Sequence, residues 1–220
     1  MTNSSLKLWS FQFSPFAGKV RAALSEKGVD YEILEINPRE RPTRLRELNH
    51  FNRVPVLEVD GAVLTESAII CDWIEETYPD PALWPEDPAA RAEARATAYW
   101  IDEQVTKVFF AGMIKKSRGP AEGDPADIVE QLQAKTVRRW PMIEAMLAKH
   151  GGPWIAGNEF TYADLGAMPD AVRIPQWVPE LAPDPAETPL VAAWFEALRS
   201  RPSATAIEAK GAEVVADDQS

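Results

Sequence analysis

Apolar and polar residues alternate over Leu6–Phe11, a two-residue period that predicts a strand. Over Pro15–Lys27 the pattern becomes helical. Ser14 suits the N-cap of that helix, Pro15 its first position and Gly28 its end. Tyr31–Ile36 reads as a second strand, so the chain opens with a βαβ unit. Thr43–Leu48 predicts a short helix. Val56–Val59 and Val63–Thr65 flank Asp60-Gly61, a two-residue signal for a tight hairpin. Ser67–Tyr78 is an amphipathic helix closed by Pro79. The order is βαβαββα.

Pro79, Pro81, Pro85 and Pro88 mark a linker over 80–90. Beyond it only helical patterns follow, with long stretches at 89–117 and 126–150. Pro175–Pro189 reads as an ordered loop, and the small, polar tail after Lys210 is expected to fray. The expected fold is α/β plus all-α. Residues 1–79 form an α/β domain and 91–220 an all-helical one.

Composition narrows the partners. With 45% hydrophobic residues in 220, a packed core is expected throughout. No apolar run reaches the roughly 20 residues that span a bilayer, and Met1–Ser5 has no secretory pattern. Cys71 is the one cysteine, so no internal disulfide forms, in keeping with a reducing, cytoplasmic setting. A formal net charge of −11, with the charges well mixed, argues against nucleic acid as a partner. A small anion can still bind where a few basic residues converge. No His, Cys and Asp cluster has metal-ligand spacing, so no metal is expected.

Three short motifs carry candidate chemistry. Ser14-Pro15-Phe16-Ala17 lies where a strand passes into a helix. A hydroxyl there sits beside free backbone N–H groups and the positive end of the helix dipole, a place that suits a thiolate. Arg53-Val54-Pro55-Val56 precedes the hairpin; Pro55 cannot donate to a ladder and belongs at an edge or turn. Thr65-Glu66-Ser67 ends the hairpin, where Ser67 can meet a carboxylate and Glu66 an ammonium. Each motif also has a plainer reading. Ser14 and Ser67 can simply cap helices, and Val-Pro can simply turn the chain.

Taken in order, these pieces resemble the glutathione transferases, closest to the omega and tau classes. The resemblance rests on SPFAGKVRAALSEKGVDYE, INPRERP, RVPVLEVDGAVLTESAIICDWIEETYP and LWPEDP. It is specific over about the first ninety residues and looser beyond. It implies a thioredoxin-like domain with a cis Pro55, joined to a helical bundle. It makes Ser14 the residue that activates the glutathione thiol and Phe16 the aromatic that follows it. Arg41 falls where these classes place a lysine near the glycyl carboxylate. Val54, flanked by Arg53 and Pro55, matches the residue whose backbone pairs with the cysteinyl part. Glu66 and Ser67 match the pair that holds the γ-glutamyl end.

The departures are informative. Omega-type enzymes carry cysteine where Ser14 stands, and Ala17 fills the second place of a Cys-x-x-Cys motif. A mixed disulfide on this chain's own sulfur is therefore not expected. The activating tyrosine of other classes is missing, because no Tyr precedes Tyr31. Asn49-His50-Phe51-Asn52 replaces Asn-Pro-x-Gly. Asn52 can take the left-handed conformation that glycine would, and His50 reads as a loop residue. In the helical part, Thr161 and Asp164 form a capping box, with Phe160 placed to staple onto Leu165. This resembles the family's N-capping motif, whose role is folding. Cys71 reads as a packing residue and His150 as structural. Trp100, Phe109, Phe110 and Met113 recur at helical spacing, as core or as the lining of an apolar pocket.

The implied function is glutathione transfer to an apolar electrophilic small molecule by a cytoplasmic homodimer that needs no membrane. Two alternatives stay open. One is a glutathione-dependent lyase or dehalogenase, ether cleavage included; the Ser-Ser-Cys pattern of the isomerase class is absent. The other is a non-catalytic module for protein contacts.

Overall fold

The structure is a computed structural model that describes residues 5–118, 127–208 and 214–215. The chain forms two compact units. One runs to Ala82 and takes back the chain from Thr205; the other is Leu83–Ala204.

The first unit is built on a five-stranded sheet in the order β4-β3-β1-β2-β5. Its strands are β1 (Leu6–Ser10), β2 (Glu32–Ile36), β3 (Val56–Val59), β4 (Ala62–Thr65) and β5 (Val214–Val215). β1 runs parallel to β2 and antiparallel to β3, and the β3–β4 hairpin turns at Asp60-Gly61. Both turn residues have positive φ, at 47° and 89°, as a tight hairpin requires. Among the described residues the α-helices of this unit are α1 (Pro15–Glu26), α2 (Thr43–Leu48) and α3 (Ser67–Thr77). This is the thioredoxin-like arrangement that the resemblance implies. Trp9, Ile36, Leu45 and Val56 form a buried cluster, on which Phe11, Leu48 and Val54 pack. The end of α1 is anchored by Lys27. Its buried ammonium meets Glu75 Oε2 at 2.5 Å and the Pro81 carbonyl at 2.5 Å.

The tail departs from expectation. Instead of fraying, Val214–Val215 pairs with β2 in parallel, Glu35 opposite Val214 and Ile36 opposite Val215. The remaining residues after Lys210 lie outside the described ones. Two forces bring this segment to the first unit: the strand pairing, and the Arg21 side chain, which donates to the carbonyls of Ala206 and Ile207. The sheet-forming unit thus takes chain that the helical patterning assigns to the 91–220 domain.

The second unit holds α4 (Pro88–Ile101), α5 (Lys107–Arg118), α6 (Ile128–Val137), α7 (Trp140–His150), α8 (Tyr162–Trp177) and α9 (Pro189–Ser200). The expected helix over 89–117 passes through a π-helical turn at Asp102–Thr106, where Thr106 Oγ1 donates to Asp170 at 2.6 Å. The expected helix over 126–150 is two helices. Pro141, near the start of α7, lacks the N–H that continuing α6 would need. Pro175, expected to open a loop, lies inside α8 together with Pro169. α8 is buried from Tyr162 to Ile174, as a helix enclosed by others must be.

The capping box at its start is present. Thr161 accepts from the Ala163 N–H at 3.2 Å, and Asp164 accepts from the Thr161 N–H at 2.9 Å. Asp164 also accepts from the Ile155 N–H at 2.8 Å and from Trp194 Nε1 at 2.9 Å. Phe160 stands edge-on to Trp154, with Arg201 over its face. Cys71 is buried, as a packing residue should be.

Candidate functional site

The strand register brings three sequence motifs to one end of the sheet. Trp9 lies opposite Val56, and Val56 opposite Thr65. The C-terminal end of β1, the N-terminal end of β3 and the C-terminal end of β4 therefore share an edge. Ser14 follows the first, Val54-Pro55 precedes the second, and Glu66-Ser67 follows the third.

Ser14 is the N-cap of α1. Its Oγ accepts from the Ala17 N–H at 3.2 Å, and its own N–H donates to Phe11 O at 2.8 Å. The capping role is thus real. It uses the hydroxyl as an acceptor only and leaves the hydroxyl hydrogen to be donated elsewhere. Ser14 is buried, and Phe16 on the first turn is half-buried, with Lys19 Nζ 5.9 Å from its ring centre. The helix brings its dipole and first-turn N–H groups to the same point.

Val54–Pro55 is a cis peptide. The Val54 side chain packs against the buried cluster, so what it can offer a ligand is its backbone. The loop before it is shaped by asparagines. Asn52 adopts φ +52°, the left-handed conformation expected of it. Asn49 donates to Arg53 O at 3.0 Å and accepts from the Phe51 N–H at 3.0 Å. Arg41 is exposed and donates to the Asn52 carbonyl and, at 3.2 Å, to the Pro38 carbonyl. It is thereby tied to the loop that leads to Val54. Arg53 is exposed.

Glu66 is the N-cap of α3, with φ +66° and ψ +116°. A non-glycine residue held there costs on the order of 1–3 kcal/mol, and such strain gathers where function requires a backbone group to be aimed. Glu66 is exposed and Ser67 beside it is buried.

Beneath Ser14 lies a polar group that none of the sequence motifs announces. Arg21, fully buried, donates to Ser10 Oγ and to the carbonyls of Gln12, Ala206 and Ile207. Glu35 accepts the Gln12 N–H. Burial pushes the Glu35 carboxyl above its ordinary value, against the Gln12 N–H, the Arg21 charge and the Ser10 hydroxyl. Burial also lowers Arg21 and raises Tyr31. The available signal is a glutamate inside the apolar run Ile33-Leu34-Glu35-Ile36.

The aromatic stripe divides. Phe109 is buried in the helical unit at 3% exposed, whereas Trp100, Phe110 and Met113 are half-buried. Among the described residues no three His, Cys, Asp or Glu side chains are placed to hold a metal ion, and no helix is long and apolar enough to cross a membrane.

Known proteins carry the same pattern. Residues 8–82 match the profile of the glutathione S-transferase N-terminal domain, and residues 102–202 that of the C-terminal domain. A probable maleylacetoacetate isomerase of Caenorhabditis elegans is 31% identical over 187 residues, covering 84% of this chain and 86% of its own. Glutathione S-transferase omega-1 of Rattus norvegicus is 29% identical over 208 residues, covering 93% and 82%. The crystal structure of a glutathione S-transferase from Rhodospirillum rubrum F11 superposes with a TM-score of 0.77 at 28% identity, covering 92% of this chain and 91% of that one. Both domain profiles, in sequence order, and relatives spanning most of each chain show that the chain belongs to the glutathione S-transferase family of enzymes.

Proposed function

We propose that the protein binds glutathione at this sheet end and, in the cytoplasm, transfers it to an apolar electrophilic small molecule. Ser14 donates its hydroxyl hydrogen to the cysteinyl sulfur. Val54 offers backbone to the cysteinyl part, with Phe16, Arg53 and Pro55 beside it. Arg41 meets the glycyl carboxylate, and Glu66 and Ser67 hold the γ-glutamyl end. The observation that carries this reading is the shared sheet end, at which β1 leads to the N-cap hydroxyl of Ser14, β3 follows Val54-Pro55 and β4 leads to Glu66-Ser67.

The magnitudes suffice. A thiol with pKa about 8.5 is only a few per cent thiolate at pH 7. Lowering it by two units takes about 2.7 kcal/mol. A hydrogen bond to a charged group contributes roughly 1.5–3 kcal/mol, and the helix dipole about 0.3–1. The thiolate then attacks an electrophilic carbon, which Trp100, Phe110 and Met113 help to hold; positioning supplies much of the remaining acceleration.

The likeness to a probable maleylacetoacetate isomerase favours a second reading, in which glutathione adds to an unsaturated substrate and leaves again. One experiment separates the two. The protein is expected to be retained on immobilised glutathione and to consume glutathione against a panel of electrophiles that includes aryl ethers. Turnover of maleylacetoacetate without net loss of glutathione supports the isomerase, and failure to bind glutathione removes both.

The active form is proposed to be a homodimer, with the α/β unit of one subunit against the helical unit of its partner. Phe51 and Ile69 on the first unit and Tyr99 on the second are large side chains left 57–74% exposed in the single chain. Light scattering is expected to give twice the 24.4 kDa of one chain; a stable single-chain mass at micromolar concentration would refute the dimer.

A further inference from the structure

The turn that delivers Ser14 is clamped from beneath. The Ser14 N–H closes it on Phe11 O at 2.8 Å, leaving Gln12 and Phe13 as its central residues. The Gln12 N–H donates to Glu35, and the Gln12 carbonyl accepts from Arg21 Nη2 at 3.2 Å. These groups belong to two successive peptide planes, so each plane carries a hydrogen bond to one charged side chain, the first in addition to the bond that Phe11 O accepts from Ser14. No regular element stands between this turn and Ser14 to reset its direction.

The same guanidinium reaches further. Its Nε donates to Ala206 O at 2.8 Å, and its remaining donors go to Ile207 O and to Ser10 Oγ at the end of β1. Arg21 therefore joins the last residue of a strand, the turn before Ser14 and the returning C-terminal segment. Only a planar fork with several donors can do this; a lysine ammonium cannot reach four acceptors so arranged.

Stability alone is a poor reason for this arrangement. Arg21 is 0% and Glu35 5% exposed, and Glu35 Oε2 is buried without a hydrogen-bond partner. Replacing buried charges by apolar side chains of similar volume is often neutral or stabilising. What charged groups supply here, and apolar ones cannot, is direction for two peptide planes.

We propose that Arg21 and Glu35 are positioning residues for Ser14, and that Arg21 makes the geometry of the 11–14 turn depend on the C-terminal segment. The proposal rests on the reading of Ser14 as the thiol-activating residue. Glu35→Ala removes the acceptor of the Gln12 N–H, Arg21→Lys removes the guanidinium donor to the Gln12 carbonyl and releases the 206–207 carbonyls, and Glu35→Gln keeps an acceptor for the Gln12 N–H.

The test uses the full chain and reads hydrogen exchange together with the thiolate absorbance of bound glutathione. In Glu35→Ala and Arg21→Lys, the amides of residues 12–18 are expected to exchange at least about tenfold faster while those of β3 and β4 keep their protection. Turnover is expected to fall about tenfold with the KM for glutathione within about twofold, and the bound thiol pKa to rise by about one unit. Glu35→Gln is expected to recover most of the protection at 12–18. Unchanged exchange at 12–18, or a rise shared equally by the whole sheet, overturns the proposal. So does failure of both variants to fold, because the pair is then ordinary core structure. The exchange data judge the clamp by themselves, and the thiolate titration of Ser14→Ala judges the Ser14 reading.

Discussion

Replacing Ser14 by alanine is expected to leave glutathione bound while slowing thiolate attack by roughly 10–100-fold, the equivalent of about 1.4–2.7 kcal/mol. Binding is expected to survive because, on the proposed reading, Arg41, Val54, Glu66 and Ser67 hold the rest of the tripeptide. The rate falls because the donor to the sulfur is gone and the thiol pKa drifts back toward its free value. The substitution also removes a helix cap, since Ser14 Oγ accepts from Ala17, and this alone lowers stability by about 0.5–2 kcal/mol. A lower melting temperature therefore proves nothing about chemistry. The deciding measurement is thiolate absorbance against pH in parent and variant. Coincident titrations mean that Ser14 is a cap and no more. Ser14→Cys is expected to behave differently, forming a mixed disulfide with glutathione and exchanging thiols at the expense of conjugation. Ser14→Thr keeps both hydroxyl and cap and is expected to retain most of the activity.

The second large effect falls on stability. Asp164→Ala is expected to destabilise the protein by about 3–5 kcal/mol, from the lost cap and the buried donors left unpaired. Ile155 N–H, Thr161 N–H, Thr161 Oγ1 and Trp194 Nε1 all turn toward this one carboxylate, in a place that is 0% exposed. Against a total of about 5–15 kcal/mol, such a loss moves the melting temperature by about 10 °C. Thr161→Ala removes a cap acceptor and one hydroxyl donor, and is expected to cost about 0.5–2 kcal/mol. Neither variant should change glutathione affinity by more than about twofold, because the box belongs to the helical unit and the proposed tripeptide site to the other. Differential scanning calorimetry with parallel binding titrations reads both quantities. Equal melting temperatures for Asp164→Ala and its parent would contradict the geometry described here.

Both predictions draw on residues whose meaning is legible in the amino-acid sequence. Local chemistry with a single backbone solution reads well there. Asn52 takes φ +52°, Asp60-Gly61 turns the hairpin, and Thr161 with Asp164 caps α8. Interactions that depend on distant partners do not. Nothing around Arg21 announces that residues more than 180 positions later supply its acceptors. Nothing in Asp164 announces Trp194. Helix breaks are harder still. Pro141 interrupts a helical pattern, while Pro169 and Pro175 ride inside α8, because tertiary packing, not the proline alone, decides whether a helix survives the lost hydrogen bond. The positive φ of Glu66 has no local cue, since glutamate has no preference for that region.

The two-residue strand at Val214–Val215 has a bearing on how the protein behaves when concentrated. A sheet edge offers unpaired N–H and C=O groups as a template for another chain. β2 carries Ile33, Leu34 and Ile36 between and beside Glu32 and Glu35, so its apolar side chains favour such pairing while its charges oppose it. The returning tail seals that edge with the protein's own backbone at Glu35 and Ile36. A chain trimmed ahead of Val214 keeps every residue proposed to touch glutathione, yet it presents a bare strand to its neighbours. Resistance to aggregation is thus assigned to the far end of the chain, and a cut just ahead of Val214 would expose the β2 edge while leaving in place the carbonyls of Ala206 and Ile207 that Arg21 holds.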